Sequence, residues 1–182
     1  ITIDSSTMMN KVFEIIEAKN MFNVGYNNLY ILLHPKSYVH AIIQFKGGMT
    51  KIVAHPTTME IPIFNSLYDD ESKKIKTINL DIAKLNDLNL TIINNKKFPL
   101  VNILKTLPNR NTLFETVIVS ANDALVDLYL VKKINYTDII RKMLSITKNK
   151  EFIKMKKKYP RNISDIINLS KKVRNKIYKM YN

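Results

Sequence analysis

The sequence predicts an α/β protein: part of a mixed α/β domain, then a linker, then a small C-terminal helical bundle. Three observations predict it. Apolar residues near the start recur at helical spacing, and a stretch rich in β-branched and aromatic residues follows, broken by a Gly-Gly pair. Behind residue 98 several amphipathic segments of helical period succeed one another.

In order, Ile3 to about Phe22 reads as one helix. Met9, Phe13, Ile16 and Met21 fall at helix-like spacings, and Ser5 and Thr7 are capping types. From Tyr30 to about Ile63 the chain reads as strands. Tyr30-Ile31-Leu32-Leu33 and Tyr38-Val39-His40-Ala41-Ile42-Ile43-Gln44-Phe45 carry the pattern, and Gly47-Gly48 turns the second run back as a hairpin. The stretch 69–76, acidic and then basic, has few apolar anchors and reads as a loop or linker. Helices are expected at 100–107, 115–131, 137–148 and 164–181. In the last, Ile166, Leu169, Val173, Ile177 and Met180 lie along one stripe with Ser164 as N-cap, and Thr137-Asp138 caps the helix before it. The lysine run 154–158, followed by Pro160, reads as a solvated loop. The sections divide as 1–68, 69–97 and 98–182, and no internal repeat is present.

Composition narrows the function classes. With 182 residues, 46% of them hydrophobic, the chain can bury a core. No apolar run reaches the ~18–20 residues of a membrane span. The chain opens on Ile1 without a basic-then-apolar leader, which implies a processed protein or a fragment. Cysteine is absent, so disulfides, zinc-thiolate sites and a cysteine nucleophile are excluded. The 29 basic against 15 acidic residues give +14, a balance that raises nucleic acid or an anionic membrane as partner. Lys, Asn and Ile are abundant throughout, as A+T-rich codons produce, and no recognition module is visible. Neither nucleic acid nor membrane is therefore expected as a partner, whereas a phosphorylated ligand would profit from the positive field. The only glycines are Gly25, Gly47 and Gly48, so the Gly-rich dinucleotide fingerprint is missing.

The stretch with chemistry is Asp4-Ser5-Ser6-Thr7-Met8-Met9-Asn10-Lys11-Val12-Phe13-Glu14-Ile15-Ile16-Glu17. Hydroxyls precede an expected helix start, where free N–H groups and the helix dipole favour an anion. Asn10, Lys11, Glu14 and Glu17 follow at spacings of one, three or four, on one side of the helix. A Lys and an Asn beside a hydroxyl suit a phosphate, and a nearby carboxylate suits a hard cation such as Mg²⁺ or Mn²⁺. The competing reading is a solvated helix on which Lys11 and Glu14 pair across a turn.

The same string resembles D-S-A-T-M-M-N-K-x-x-E-x-I-E of the 1-deoxy-D-xylulose 5-phosphate reductoisomerase family. His34-Pro35-Lys36-Ser37-Tyr38-Val39-His40 is similar to its H-P-x-S-x-x-H, and Met59-Glu60-Ile61-Pro62-Ile63 to its M-R-x-P-I. Glu17-Ala18, Phe22-Asn23, Leu80-Asp81 with Lys84-Leu85, Phe98-Pro99, Ala121-Asn122-Asp123 and Thr137-Asp138-Ile139 continue the likeness in order. It covers nearly the whole chain.

The resemblance implies NADPH-dependent rearrangement and reduction of 1-deoxy-D-xylulose 5-phosphate to 2-C-methyl-D-erythritol 4-phosphate, with Mn²⁺ or Mg²⁺ holding substrate oxygens. Residues 1–68 would then be the C-terminal part of the catalytic domain. The resemblance assigns Ser5, Asn10 and Lys11 to the substrate phosphate or adjacent hydroxyls, and Glu14 to the metal. Glu17 becomes a second-shell or metal candidate, His34 a residue near the substrate, and Met59 part of a mobile wall beside the nicotinamide. It implies a homodimer, and an NADPH domain and a first acidic metal pair upstream of Ile1. His34 and His40, six apart, are read as facing one side of a strand, too far apart for a close metal pair. His40 and His55 are read as structural, and Met59 equally as core filling. Composition and pathway together suggest a relic plastid, with the cytoplasm of an A+T-rich bacterium as the alternative.

The chain departs from the family pattern between Ile52 and Glu60, where A-Q-x-G-x-P-D-M-R becomes Ile52-Val53-Ala54-His55-Pro56-Thr57-Thr58-Met59-Glu60, and at Val119, where the family has Asn. These changes open a second possibility, a non-catalytic reductoisomerase-like binding or assembly partner.

Overall fold

The computed structural model describes residues 2–68 and 73–181; positions 69–72, at the head of the expected linker, lie outside the described residues. The opening segment forms two helices rather than one, α1 (Thr2–Thr7) and α2 (Met9–Phe22). Met8 between them adopts left-handed geometry with φ 61°. Ser6 Oγ donates to Ile3 O at 2.7 Å and Thr7 Oγ1 to Asp4 O at 3.2 Å. Short hydroxyl side chains that compete for helical carbonyls in this way favour a break. Ser5 and Thr7 accordingly sit inside α1, not at a cap before α2.

Strands follow as β1 (Leu32–Leu33), β2 (Val39–Gln44) and β3 (Thr50–Ala54). β2 and β3 pair antiparallel with Ile42 opposite Ile52, and a register shift lies between Val39 and Ala41. The turn forms where the glycines predict it: Phe45 N donates to Met49 O at 2.8 Å, and Gly48 takes φ 87°, a geometry that strains any residue with a Cβ. The expected strand run to Ile63 fails at its end, where α3 (Glu60–Leu67) forms instead. Thr58 Oγ1 accepts from Glu60 N at 3.3 Å, and Pro62 sits in the first turn, where its missing N–H costs nothing. Within the linker expected at 69–97 the chain is not structureless. α4 (Ile82–Asn86) is capped by Asp81, which accepts from Lys84 N at 3.0 Å, and β4 (Thr91–Ile92) pairs antiparallel with β1.

Behind it comes a 3-10 helix (Pro99–Thr106), then α5 (Phe114–Leu130), α6 (Tyr136–Thr147), α7 (Lys150–Ile153) and α8 (Ile163–Tyr181). The segment expected as an α-helix from 100 is thus the tighter 3-10 form, begun by Pro99. α5 is the centre of the core. Phe114, Val117, Ile118, Ala121, Ala124, Leu125 and Leu128 recur at three- and four-residue spacing, and all are buried. α8 packs on α5 mainly through Val173 and Ile177; Ile166 and Met180 of the expected stripe are exposed. Asn162, not Ser164, caps α8, its Oδ1 accepting from Asp165 N at 2.9 Å. α6 begins with a capping box of Asn135 and Asp138, two residues earlier than Thr137 implies.

The lysine run is not wholly solvated. It forms a 3-10 turn (Lys154–Lys157), and Lys156 Nζ donates to Thr106 O at 2.7 Å while lying 4.6 Å from the Phe114 ring centre. Burial lowers its pKa.

Packing groups the chain differently from the three sections read along it. One compact unit holds the described residues of Ile1–Ile31 and Asn94–Asn182, the other those of Leu32–Ile93. Met9, Val12 and Ile16 of α2 belong to the same buried cluster as Phe114, Ile139, Met143 and Ile177. Lys19, almost fully buried, adds polar ties from α2 to Asn111, and Tyr26 N donates to Asn109 Oδ1 at 3.0 Å.

A first prediction arises at the α6 cap. The Asn135 backbone N–H, followed by the Arg141 guanidinium, holds the Asp138 carboxyl below its ordinary range despite an opposing desolvation effect. Because the folded pKa is the lower one, the stabilisation is present above the unfolded value near ~3.9 and is lost as pH falls through the folded value. Asp138→Asn should therefore lower the melting temperature by a few degrees at pH 6 and leave it unchanged at the acid end. A uniform loss at every pH would contradict this.

Candidate functional site

The polar face of α2 is the candidate. Met9, Val12 and Ile16 anchor the helix in the core, and the helical period then turns Asn10, Glu14 and Glu17 away from that core. Lys11 Nζ reaches both oxygens of Glu14, at 2.9 and 2.7 Å, with both side chains about half exposed. This is the Lys11–Glu14 pairing across a turn that spacing allows. An exposed pair of this kind is worth about 0–1 kcal/mol, so either partner exchanges readily for a stronger counter-ion. Asn10 Oδ1 is buried and lacks a hydrogen-bond partner. Glu17 is exposed one turn beyond Glu14.

The approach to α2 is set by α1. Ser6 and Thr7 hydroxyls bind carbonyls of their own helix, whereas the exposed Ser5 hydroxyl has no partner among the described residues. On either side of Ser5 the bundle grips α1. Asn122 Nδ2 of α5 donates to Asp4 Oδ1 at 2.7 Å, and Tyr136 OH of α6 donates to Ser6 Oγ at 2.9 Å. Next to Asn122, burial raises the pKa of Asp123, and the nearby Asp4 and Asp127 add to this while Arg174, 3.3 Å away, opposes it. Arg174 also binds Asp127 at 2.8 Å, and Asp127 accepts from Tyr178 OH at 2.6 Å.

Ser5, Asn10, Lys11, Glu14 and Glu17 thus lie together in one unit, and His34 and Met59 lie in the other. His34 stands in the turn after β1, not on a common strand with His40 of β2, because Pro35 and the left-handed Ser37 (φ 50°) interrupt the extended run. Its Nδ1 lies 2.6 Å from Leu88 O. A carbonyl only accepts, so Nδ1 carries the proton, and in the neutral ring Nε2 is a bare acceptor, buried without a partner. Met59, immediately before α3, is 69% exposed, which rules out core filling. His40 and His55 stack with ring centroids 3.7 Å apart, and each ring bonds to a local carbonyl.

Glu14 and Glu17 supply hard oxygen donors of the kind a divalent cation takes. Among the described residues, however, no group of three or more His, Asp or Glu side chains can hold one. The two carboxylates fit part of a metal shell and not the whole of it. The clamp of Asp4, Asn122 and Tyr136 is absent from the sequence-based candidates. The A-N-D string at Asn122 was the visible signal; its pairing with Asp4 is not a local property.

Comparison with known proteins bears on this arrangement. The family model for the DXP reductoisomerase C-terminal domain matches residues 55–176, and a second, for the 1-deoxy-D-xylulose 5-phosphate reductoisomerase C-terminal domain, matches residues 1–22. The chain belongs to the 1-deoxy-D-xylulose 5-phosphate reductoisomerase family. A reductoisomerase of that name from Pelagibacter ubique is 54% identical over 180 residues, which is 99% of this chain and 46% of the relative. Among solved structures, a DOX-P reductoisomerase in complex with magnesium aligns over 100% of this chain and 48% of its own, with TM-score 0.85 and 26% identity. Another, in complex with NADPH, fosmidomycin and magnesium, aligns over 98% and 45%, with TM-score 0.84 and 26% identity. The chain therefore spans about half the length of the reductoisomerases it matches, and its mixed, mostly helical architecture is that of the part it aligns with. The bacterial source of the Pelagibacter relative agrees with the bacterial alternative and lends the plastid expectation no support. No helix among the described residues is long and apolar enough to cross a membrane.

Proposed function

We propose that this chain acts, within a longer polypeptide, as the C-terminal half of a bacterial 1-deoxy-D-xylulose 5-phosphate reductoisomerase, with NADPH and Mg²⁺ or Mn²⁺ as cofactors. Assembly as a homodimer is part of the same reading. The observation that carries it is the polar face of α2, where Asn10 and Glu17 flank the weak, exposed Lys11–Glu14 ion pair.

That pair suggests how the residues work. When the phosphorylated sugar binds, Lys11 leaves Glu14 for the phosphate, a stronger, doubly charged partner, and the Glu14 oxygens become available. Ser5 Oγ and the Asn10 amide donate to the remaining phosphate and hydroxyl oxygens. In the other unit, the bare Nε2 of His34 would accept from a substrate hydroxyl, and the exposed Met59 side chain would lie against a bound nicotinamide. A bound divalent cation would polarise the substrate's carbonyl and hydroxyl oxygens, and NADPH would supply the hydride. Glu14 and Glu17 would hold the cation from this chain's side.

The test is NADPH oxidation by the full-length protein with deoxyxylulose phosphate and Mg²⁺. Turnover is expected, slower than is usual for such enzymes because Glu60 stands where the family pattern has Arg. Absence of turnover in correctly folded protein would leave the second reading, a non-catalytic partner, which Glu60 and Val119 favour. A companion prediction concerns the 182-residue chain alone. Without a Gly-rich turn it should give no NADPH heat signal in calorimetry, and micromolar binding would contradict that.

A further inference from the structure

We propose that Asn122 and Tyr136 are positioning residues that clamp α1 on either side of Ser5 and so aim its hydroxyl at the substrate phosphate. The inference rests on the reductoisomerase reading above and adds two residues from the helical bundle to its substrate site.

α1 has six residues, too few to hold its own conformation in water, since helices shorter than ~12–15 residues are marginal even in favourable sequences. Its orientation must come from packing and from side-chain bonds. Two such bonds flank Ser5. The residue before it, Asp4, accepts from Asn122 Nδ2 at 2.7 Å, and the residue after it, Ser6, accepts from Tyr136 OH at 2.9 Å. The first is charge-assisted and the stronger of the two. Ser6 Oγ in turn donates to Ile3 O at 2.7 Å, so its hydroxyl is engaged both as acceptor and as donor. Ser5 is the hydroxyl left over.

The state of Asn122 argues that the clamp is more than packing. Asn122 is 1% exposed on a helix whose Ala121, Ala124 and Leu125 are also buried, yet its Oδ1 has no hydrogen-bond partner. A buried, half-satisfied amide is costly, and an alanine would fill the same helix face without that cost. What the amide supplies in return is the single bond to Asp4. Tyr136 is similar: its ring packs against Tyr129 at the edge of the core, and its hydroxyl reaches α1.

The experiment measures steady-state kinetics of the full-length protein with 1-deoxy-D-xylulose 5-phosphate, NADPH and Mg²⁺, for Ser5→Ala, Asn122→Ala, Tyr136→Phe and the doubles with Ser5→Ala. Each clamp variant should raise KM for the sugar phosphate, about tenfold for Asn122→Ala and about threefold for Tyr136→Phe, the sizes of a charged and a neutral hydrogen bond. Ser5→Ala should raise it about tenfold. The KM for NADPH should not move. In the Ser5→Ala background neither clamp substitution should add a further increase, because groups acting through one another are not additive. Tyr136→Phe keeps the ring, so it decides the matter if Asn122→Ala fails to fold. If Ser5→Ala raises KM while Tyr136→Phe leaves it unchanged, the clamp is refuted and the reductoisomerase reading stands. Full additivity with Ser5→Ala refutes it equally. No turnover in the folded wild type removes the reading itself, and the clamp with it.

Discussion

Glu14→Gln in the full-length protein should lower kcat/KM by about 10³-fold, the scale of removing one charge-stabilising group from an active site. The substitution keeps the shape of the side chain, and one oxygen can still accept from Lys11. It removes the negative charge, and a hard cation depends on that charge far more than on shape. Stability should hardly change, because the pair with Lys11 is exposed and worth about 0–1 kcal/mol. Raising the Mg²⁺ concentration should recover part of the lost activity if Glu14 binds the cation. Lys11→Ala should behave differently, raising KM most and lowering kcat less, because its charge meets the non-reacting phosphate; some rate is lost since remote binding energy orients the reacting end. Wild-type turnover in Glu14→Gln would remove this carboxylate from the site. A loss that added Mg²⁺ cannot touch, with a lowered melting temperature, would assign it to folding instead.

Much of this was legible in the residues, and the reason differs from part to part. The β2–β3 turn could be read because Gly47-Gly48 is a local requirement: a positive φ at Gly48 excludes most alternatives. α5 could be read because its buried residues repeat at the helical period over many turns. The polar face of α2 could be read because helical spacing and the family string point to the same residues. What failed was decided by atoms distant in sequence or by competition within one turn. The break at Met8 comes from hydroxyls that prefer their own carbonyls, and α3 starts where Thr58 Oγ1 takes up the Glu60 N–H, although the apolar run looks like a strand. Lys156 lies over Phe114, which no count of lysines reveals. Asn122 meets Asp4 across 118 positions of sequence, and a single chain gives no hint of such a pair.

The grouping of α1 and α2 with the bundle leads to the second large effect. A polypeptide of residues 98–182 alone should not unfold cooperatively, although read along the sequence it is a domain. It retains α5, α6 and α8 but loses three apolar side chains from the centre of the core: Met9 and Val12, both fully buried, and Ile16, nearly so. Burying each is worth about 1.5–3 kcal/mol, so the set contributes roughly 5–9 kcal/mol. That is comparable with the whole stability of an ordinary domain, about 5–15 kcal/mol. The loss also bares the 3-10 helix Pro99–Thr106 on the side that α2 covered. Circular dichroism should show helix with a shallow, non-cooperative melt, and amide resonances should be poorly dispersed. Adding a peptide of residues 1–31 in trans should restore a sharp transition, since α2 then supplies the missing face. Within the intact chain, Met9→Ala should cost about 2–5 kcal/mol by the same logic, as a cavity at the core centre. If residues 98–182 melt sharply by themselves and ignore the peptide, α2 rests on the bundle without supporting it. The polar face of α2 would then have to be fixed by something other than this core.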